Sequence, residues 1–477
     1  MLNLLVDESS SILDVLQNIN ESGKGIVFVM RGTKVMGSIS DGDIRRKISM
    51  SSSIDFTLGE VMNSSFHFAT LNDSPADIQK IFSNGVRFVP LLDLQGNLVQ
   101  ILQESDKSVI PICEPNLGHQ EKKLVNEALD SGWISSTGRF VNQFESMFAD
   151  YVGAQHAITV SNGTLGLVLA LNLIGVGEGD EVIVPDLTFG ATANAVIQSG
   201  AKPVFVDIES HSYAICLEQI KLAITPKTKA ILPVHLYGYP ADMHELCKFA
   251  KLHNLKVIED AAEAIGSRIN GKHVGTFGDV GVFSFFANKT ITTGEGGIIV
   301  FNDPTLLDAA KMMRSHGFSS KKRYWHETWG SNFRLTNLQA ALGVAQMSRL
   351  QDFVDAKVSI NRFYQENLVS NTGQAITFPG SRAGFFDSHW LSVIQLDKPM
   401  DVIELGNFLQ VNGVETRRVF HPLHGQPAFS SYTDVKSVFP NSIRAHEHGL
   451  CLPSSTNLKV DELEKVCTLI TKYLERF

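Results

Sequence analysis

From Ala157 onward the chain alternates short β-branched runs with helical ones, and this alternation restricts the fold more than any other feature. The runs are residues 157–160, 181–184, 203–207, 230–235, 255–260 and 280–285, with a helical stretch between most neighbours. Such a pattern predicts a largely parallel α/β sheet with helices on both faces and ligand groups at the carboxyl ends of its strands. At 477 residues the chain exceeds one ordinary core, so more than one domain is expected.

Chemistry-bearing residues stand at those strand ends. Ser161-Asn-Gly-Thr164 lies between a strand and the helix 165–173, where free backbone amides and a positive helix end suit a phosphate dianion. The stretch Val257-Ile-Glu-Asp260-Ala-Ala-Glu263 ends a strand in an acid. The last run, Gly281-Val-Phe-Ser284-Phe-Phe-Ala-Asn-Lys289, passes into the glycine-dense turn Gly294-Glu-Gly-Gly297. A lysine after an apolar strand is ordinarily a solvated strand end. Beside a phosphate-binding turn and an acid it becomes a candidate nucleophile, and the glycines let the backbone approach a flat cofactor.

The run from Ser284 to Lys289, with Gly294 to Gly297, resembles the lysine motif of the DegT/DnrJ/EryC1/StrS sugar aminotransferases, and the likeness extends over roughly residues 110–477. It implies the aspartate aminotransferase fold (fold type I) with pyridoxal 5'-phosphate (PLP) as cofactor. Carried over by position, Lys289 is the Schiff-base lysine and Asp260 the acid on the ring nitrogen. Gly163, Thr164 and Ser284 bind the phosphate, Phe189 stacks on the ring, and Glu263 stands where many members have Gln against the cofactor hydroxyl. Asn332 reaches the phosphate of the neighbouring subunit, implying a homodimer with shared active sites. Trp133, His326 and Arg417 fall in stretches on the substrate side. The implied reaction moves an amino group from L-glutamate to C4 of a nucleotide-linked 4-keto-6-deoxy sugar, for surface glycan synthesis. Tyr324-Trp-His326 resembles the GDP-perosamine synthase branch and favours GDP-4-keto-6-deoxymannose over a UDP- or dTDP-linked sugar. In the family's dehydratase branch a His replaces the lysine. A nucleotide-sensing protein with a silent aminotransferase scaffold is the rival of another class.

Residues 1–108 hold two similar passages, each an amphipathic helix followed by short strands, and the repeat is the signal. In the first, residues 11–20 read as a helix with Ile12, Leu13, Leu16 and Ile19 on one face, followed by strands 25–29 and 34–40 and a turn at Asp41-Gly-Asp43. In the second, Ser74 caps a helix with Pro75 in its first turn, Ile78, Ile81 and Phe82 face the core, and strands 86–92 and 98–102 follow. The pair resembles a tandem CBS module, with Ser40 and Asp43 at positions that meet an adenosine nucleotide in that family. The second half departs from the pattern.

Residues 104–108 read as a linker, giving expected domains at 1–108, 109–356 (PLP-binding) and 357–477 (smaller, α+β). Five cysteines without a C-x-x-C pair argue for free thiols rather than zinc or redox chemistry, and no metal is expected. The net charge of −9 argues against nucleic acid. No run reaches the ~18 apolar residues of a membrane span, and the start lacks a basic leader, so cytoplasm is the expected compartment.

Overall fold

A computed structural model of the chain describes residues 4–51, 55–73, 75–83, 85–103, 109–319, 321–322, 324–372, 376–380, 382–433 and 438–475. Ser74, residues 104–108 and Arg323 lie outside them. The chain divides into two compact units, Met1–Val109 and Ile110–Phe477.

The first unit repeats one β-α-β-β motif. Strand Leu5–Asp7, helix Ile12–Ser22 and strands Ile26–Arg31 and Lys34–Ser40 form the first copy; Ala69–Thr70, Pro75–Ser83, Phe88–Leu92 and Leu98–Gln103 form the second. In each copy the first two strands pair in parallel and the last two antiparallel. The copies join through a shared apolar cluster of Phe28, Phe88 and Ile101, and through the Leu98 N–H donating to the Thr33 carbonyl at 2.8 Å.

Two local expectations for this unit need correction. Leu13 faces solvent, and the buried stripe is Ile12, Val15 and Ile19 with Leu16 beside it, because a 3.6-residue period selects positions 12, 15, 16 and 19. Asp41-Gly-Asp43 opens the helix Asp41–Ser51 instead of forming a turn. There Ser40 donates its hydroxyl to Asp43 at 2.6 Å while the Asp43 N–H returns to Ser40 Oγ, a reciprocal cap that begins a helix.

The second unit is built on a seven-stranded sheet. Its order is His156–Val160, Gly297–Phe301, Val280–Ser284, Lys256–Asp260, Thr228–Ile231, Glu181–Pro185, Lys202–Val206. All pairs are parallel except those of Gly297–Phe301, which runs against both neighbours. Every expected strand forms, although the run 230–235 is a strand only as far as Ile231.

Side chains alternate across the sheet. Val182, Val184, Val280, Val282 and Ile299 face one core, and Ile183, Phe283, Ile298 and Val300 the other. Helix Gly163–Leu173 packs on the first face, and Arg139–Val152 and Asn337–Met347 on the second, so the sheet is buried on both sides. A four-stranded antiparallel sheet follows, ordered Ile376–Thr377, Ser392–Leu396, Gly449–Leu452, Arg417–Arg418, with helix Val460–Leu474 over its own core. Helix Leu350–Thr372 runs straight across the expected boundary at 356/357.

All five cysteines are free thiols; Cys451 and Cys467 are buried and the other three half-buried. No helix of the described residues is long and apolar enough to cross a membrane.

One buried group makes this fold acid-sensitive. His273 accepts the Gly266 N–H at Nε2 (2.8 Å) and lies 2.6 Å from the Val274 carbonyl through Nδ1, so the neutral ring satisfies both contacts. Burial pushes its pKa down from 6.5 to about 4. A depressed histidine contributes stability that is complete above the unfolded value and is lost as pH falls from 6.5 to about 4. Protonation should therefore remove about 3 kcal/mol at the acid end. Urea unfolding at pH 7 and pH 4.5 should show a smaller acid loss for His273→Asn than for the parent chain; equal losses would contradict this.

Candidate active site

The phosphate-sized feature is assembled first, from backbone. Strand His156–Val160 turns through Ser161 and Asn162 into helix Gly163–Leu173, and Asn162 caps that helix by accepting the Leu165 N–H at 2.9 Å. The Gly163 and Thr164 N–H groups have no partner among the described residues and sit at the positive helix end. The Ser161 hydroxyl is buried without a partner among the described residues.

Glycine is required here by proximity. A Cβ on Gly163 would lie 3.0 Å from Ser284 Cβ and 3.3 Å from its Oγ, and a Cβ on Gly297 would lie 2.9 Å from the Gly163 nitrogen. Ser284, the last residue of its strand, thus comes against the same helix start.

The acid is set at the end of the neighbouring strand, Lys256–Asp260. Asp260 is buried and accepts the Thr192 hydroxyl at 2.9 Å and the Ala262 N–H at 3.2 Å. Thr192 gives its proton to Asp260, so in its 3.0 Å contact with Thr188 the Thr188 hydroxyl is the donor. Burial raises the Asp260 pKa, and the Thr192 hydroxyl, the Ala262 N–H and the Lys289 charge oppose that rise. Between the two threonines lies Phe189, whose ring is 61% exposed and free to stack on a flat ligand. The sequence reading missed Thr188 and Thr192; their four-residue spacing around Phe189 is the signal that could have found them.

Lys289 ends a tight turn, with its N–H donating to the Phe286 carbonyl at 2.9 Å. Its Nζ lies 3.4 Å from Glu263 Oε1 and 3.8 Å from the centre of the Trp390 ring. Glu263 Oε2 accepts the N–H of Tyr237, a non-glycine residue held at φ 54°. Burial raises the Glu263 pKa and nearby Asp260 adds to the rise, while Lys289 and the Tyr237 N–H lower it. Trp390 stacks parallel to Tyr237 at 6.1 Å, and Tyr237 on Phe420 at 5.3 Å, so an aromatic column backs the lysine. No local pattern marks Trp390, which lies about a hundred residues downstream of the lysine.

The structure therefore gathers Gly163, Thr164, Ser284, Asp260, Glu263, Phe189 and Lys289 at one edge of the sheet. It gives the remaining predicted residues other contacts. Trp133 is 62% exposed, and its carbonyl accepts Asn337 Nδ2 at 2.6 Å. It lines a cleft of about 710 Å³ with Arg139, Asn142 and Arg314, and none of the lysine-site residues lines that cleft. His326 bonds the His316 carbonyl through Nδ1 at 2.6 Å. Asn332 accepts Arg334 Nε at 2.9 Å. Arg417 pairs with Glu415 at 3.4 Å in an exposed contact worth about 0–1 kcal/mol. A stronger tie in that segment went unread: buried Asp186, just after strand Glu181–Pro185, takes the His424 N–H at 2.8 Å and the His424 ring at 2.7 Å.

Residues 115–471 match the DegT/DnrJ/EryC1/StrS aminotransferase family. The chain belongs to that family. It is 42% identical to GDP-perosamine synthase of Vibrio cholerae over 76% of this chain and 99% of that protein. The GDP-perosamine synthase of Escherichia coli O157:H7 is 43% identical over 76% of this chain and 98% of its own length. Among solved structures, DesV of S. venezuelae in complex with a ketimine intermediate aligns with a TM-score of 0.71 and 32% identity, covering 75% of this chain and 95% of that one. TlmJ from Streptoalloteichus hindustanus aligns at 0.73 and 31%, covering 77% and 99%.

DegT-family aminotransferases depend on PLP, and this chain is a PLP-dependent sugar aminotransferase. The residues present fit the cofactor. Bare amides and the Ser284 hydroxyl suit its phosphate, buried Asp260 suits a protonated ring nitrogen, Phe189 offers a ring face, and Lys289 offers the amine. When bound, PLP supplies an electrophilic carbon and an electron-accepting ring.

Proposed function

We propose that this enzyme transfers the amino group of L-glutamate to C4 of a nucleotide-linked 4-keto-6-deoxy sugar, with GDP-4-keto-6-deoxymannose as substrate and GDP-perosamine as product. One observation carries the chemistry: the Lys289 amine, held between Glu263 and the face of Trp390, shares a sheet edge with Asp260 and the free amides of Gly163 and Thr164. In this reading the Lys289 amine would hold the cofactor and would also take up and return the proton of the reacting carbon. Asp260 keeps a proton on the ring nitrogen, Glu263 faces the cofactor hydroxyl, and Phe189 stacks on the ring. The sugar choice draws on the relatives named GDP-perosamine synthase and on Tyr324-Trp-His326, with Trp133, His326 and Arg417 on the substrate side.

The enzyme acts as a homodimer in the cytoplasm, and Asn332 of each chain serves its neighbour's cofactor. Trp133, Phe286 and Trp329 are exposed large rings, which supports a second chain covering part of this surface. Incubation with PLP, glutamate and a panel of GDP-, UDP- and dTDP-linked 4-keto sugars, read by product mass, tests the assignment. Amination of the GDP sugar alone is expected; amination only of UDP or dTDP sugars would move the specificity, and none at all would reject it.

For the first unit we propose a tandem CBS module that takes an adenosine nucleotide at its first half. The repeated β-α-β-β motif supports this reading, as does Ser40–Asp43 at a helix start. Adding AMP or ATP to the same assay should change the rate; indifference to both would leave the module a packing element.

A further inference from the structure

Lys357 is fully buried in the second unit, and no carboxylate pairs with it among the described residues. Its Nζ donates to the Trp390 carbonyl at 2.9 Å and the Ser454 carbonyl at 2.8 Å, and lies 3.8 Å from Cys113 Sγ. A lysine amine sealed away from water, its pKa lowered by burial and its partners all neutral, is an expensive way to tie segments together. What it ties is informative.

Trp390 donates its indole N–H to the Asn288 carbonyl at 2.7 Å, and Cys113 gives the same oxygen a second contact at 3.2 Å. The N–H of that peptide, which belongs to Lys289, donates to Phe286. Every polar atom of the peptide plane before Lys289 is thereby occupied. Two of its three partners, Trp390 and Cys113, converge on Lys357. The orientation of that plane sets where the Lys289 Cα–Cβ bond points, and the Trp390 ring face then meets the Nζ at the far end of the same side chain.

We propose that Lys357 is a positioning residue for Lys289, acting through Trp390: its Nζ hydrogen bonds fix the tryptophan backbone, and the tryptophan fixes both ends of the reactive lysine. The inference rests on the assignment of Lys289 as the cofactor lysine. Lys357 touches neither cofactor nor substrate in this scheme. It joins the small-domain strands Ser392–Leu396 and Gly449–Leu452, near whose ends Trp390 and Ser454 lie, to the turn that carries the lysine.

The test follows PLP uptake by cofactor-free enzyme, read as growth of the cofactor's visible absorption band, together with kcat and KM for glutamate. Trp390→Phe keeps a ring face and loses only the indole donor, and should slow uptake and lower kcat about tenfold with KM little changed. Lys357→Met should do the same, and the double variant should be no slower than the slower single one, because both act along one path. Lys357→Gln, which restores two N–H donors without charge, should return to within about threefold of the parent. Parent-like uptake in Trp390→Phe overturns the proposal even if Lys357→Met fails to fold. Additive losses in the double variant, or a Lys357→Gln as slow as Lys357→Met, overturn it too. Borohydride labelling of the parent enzyme separates the two levels. A parent that is not labelled at Lys289 defeats the underlying assignment, whereas labelling at Lys289 with parent-like kinetics in the variants defeats only the role of Lys357.

Discussion

Lys289→Ala is expected to lower turnover by at least about three orders of magnitude, because one amine both holds the cofactor and carries the proton. The fold should survive the change. Among the described residues Lys289 pairs with Glu263, and burial already raises that carboxyl, so a Glu263 left with only the Tyr237 N–H favours protonation over a buried charge. The sign of the accompanying pH effect follows. Without Lys289 the Glu263 pKa rises further, the folded state binds the proton more tightly than the unfolded chain, and stability relative to the parent falls as pH rises above the ordinary carboxylate range. Steady-state assays with thermal unfolding at pH 5 and pH 8 check both statements. Near-normal turnover would remove Lys289 from the mechanism.

Asp260→Asn should separate activity from stability in the opposite sense. The amide keeps an oxygen for the Ala262 N–H but cannot hold a proton on the ring nitrogen, so turnover should fall by roughly two to four orders of magnitude. Cofactor-free protein at pH 7 should unfold no earlier than the parent. A carboxyl whose folded pKa is raised by burial destabilises the fold once it ionises, and the amide never does. An active variant, or one that melts several degrees lower, would show that Asp260 is a structural acid.

Asp260 was legible because it ends a β-branched run, where an open sheet exposes its ligand groups, and Lys289 because it follows such a run by a short turn. The same alternation gave the parallel strands, and the glycine turn with Gly163 gave the phosphate feature. Gly297–Phe301 escaped because its direction, against both neighbours, is set by pairing partners distant in sequence. Trp390, Tyr237 and Lys357 escaped for a related reason: Trp390 meets the lysine and its turn through tertiary packing, Tyr237 and Lys357 reach it through Trp390, and none carries a local spacing signal. In the first unit, Leu13 was put on the buried face in place of Val15, since apolar character was followed there without the helical period. Trp133, His326, Asn332 and Arg417 came from likeness alone, and within a single chain they contact other groups.

The most direct measurement is reduction of the PLP-loaded enzyme with borohydride followed by peptide mapping. A single pyridoxyl mark on the peptide containing Asn288-Lys289-Thr290 is the result the account predicts. A mark on another lysine, or no mark after the cofactor has bound, would contradict it.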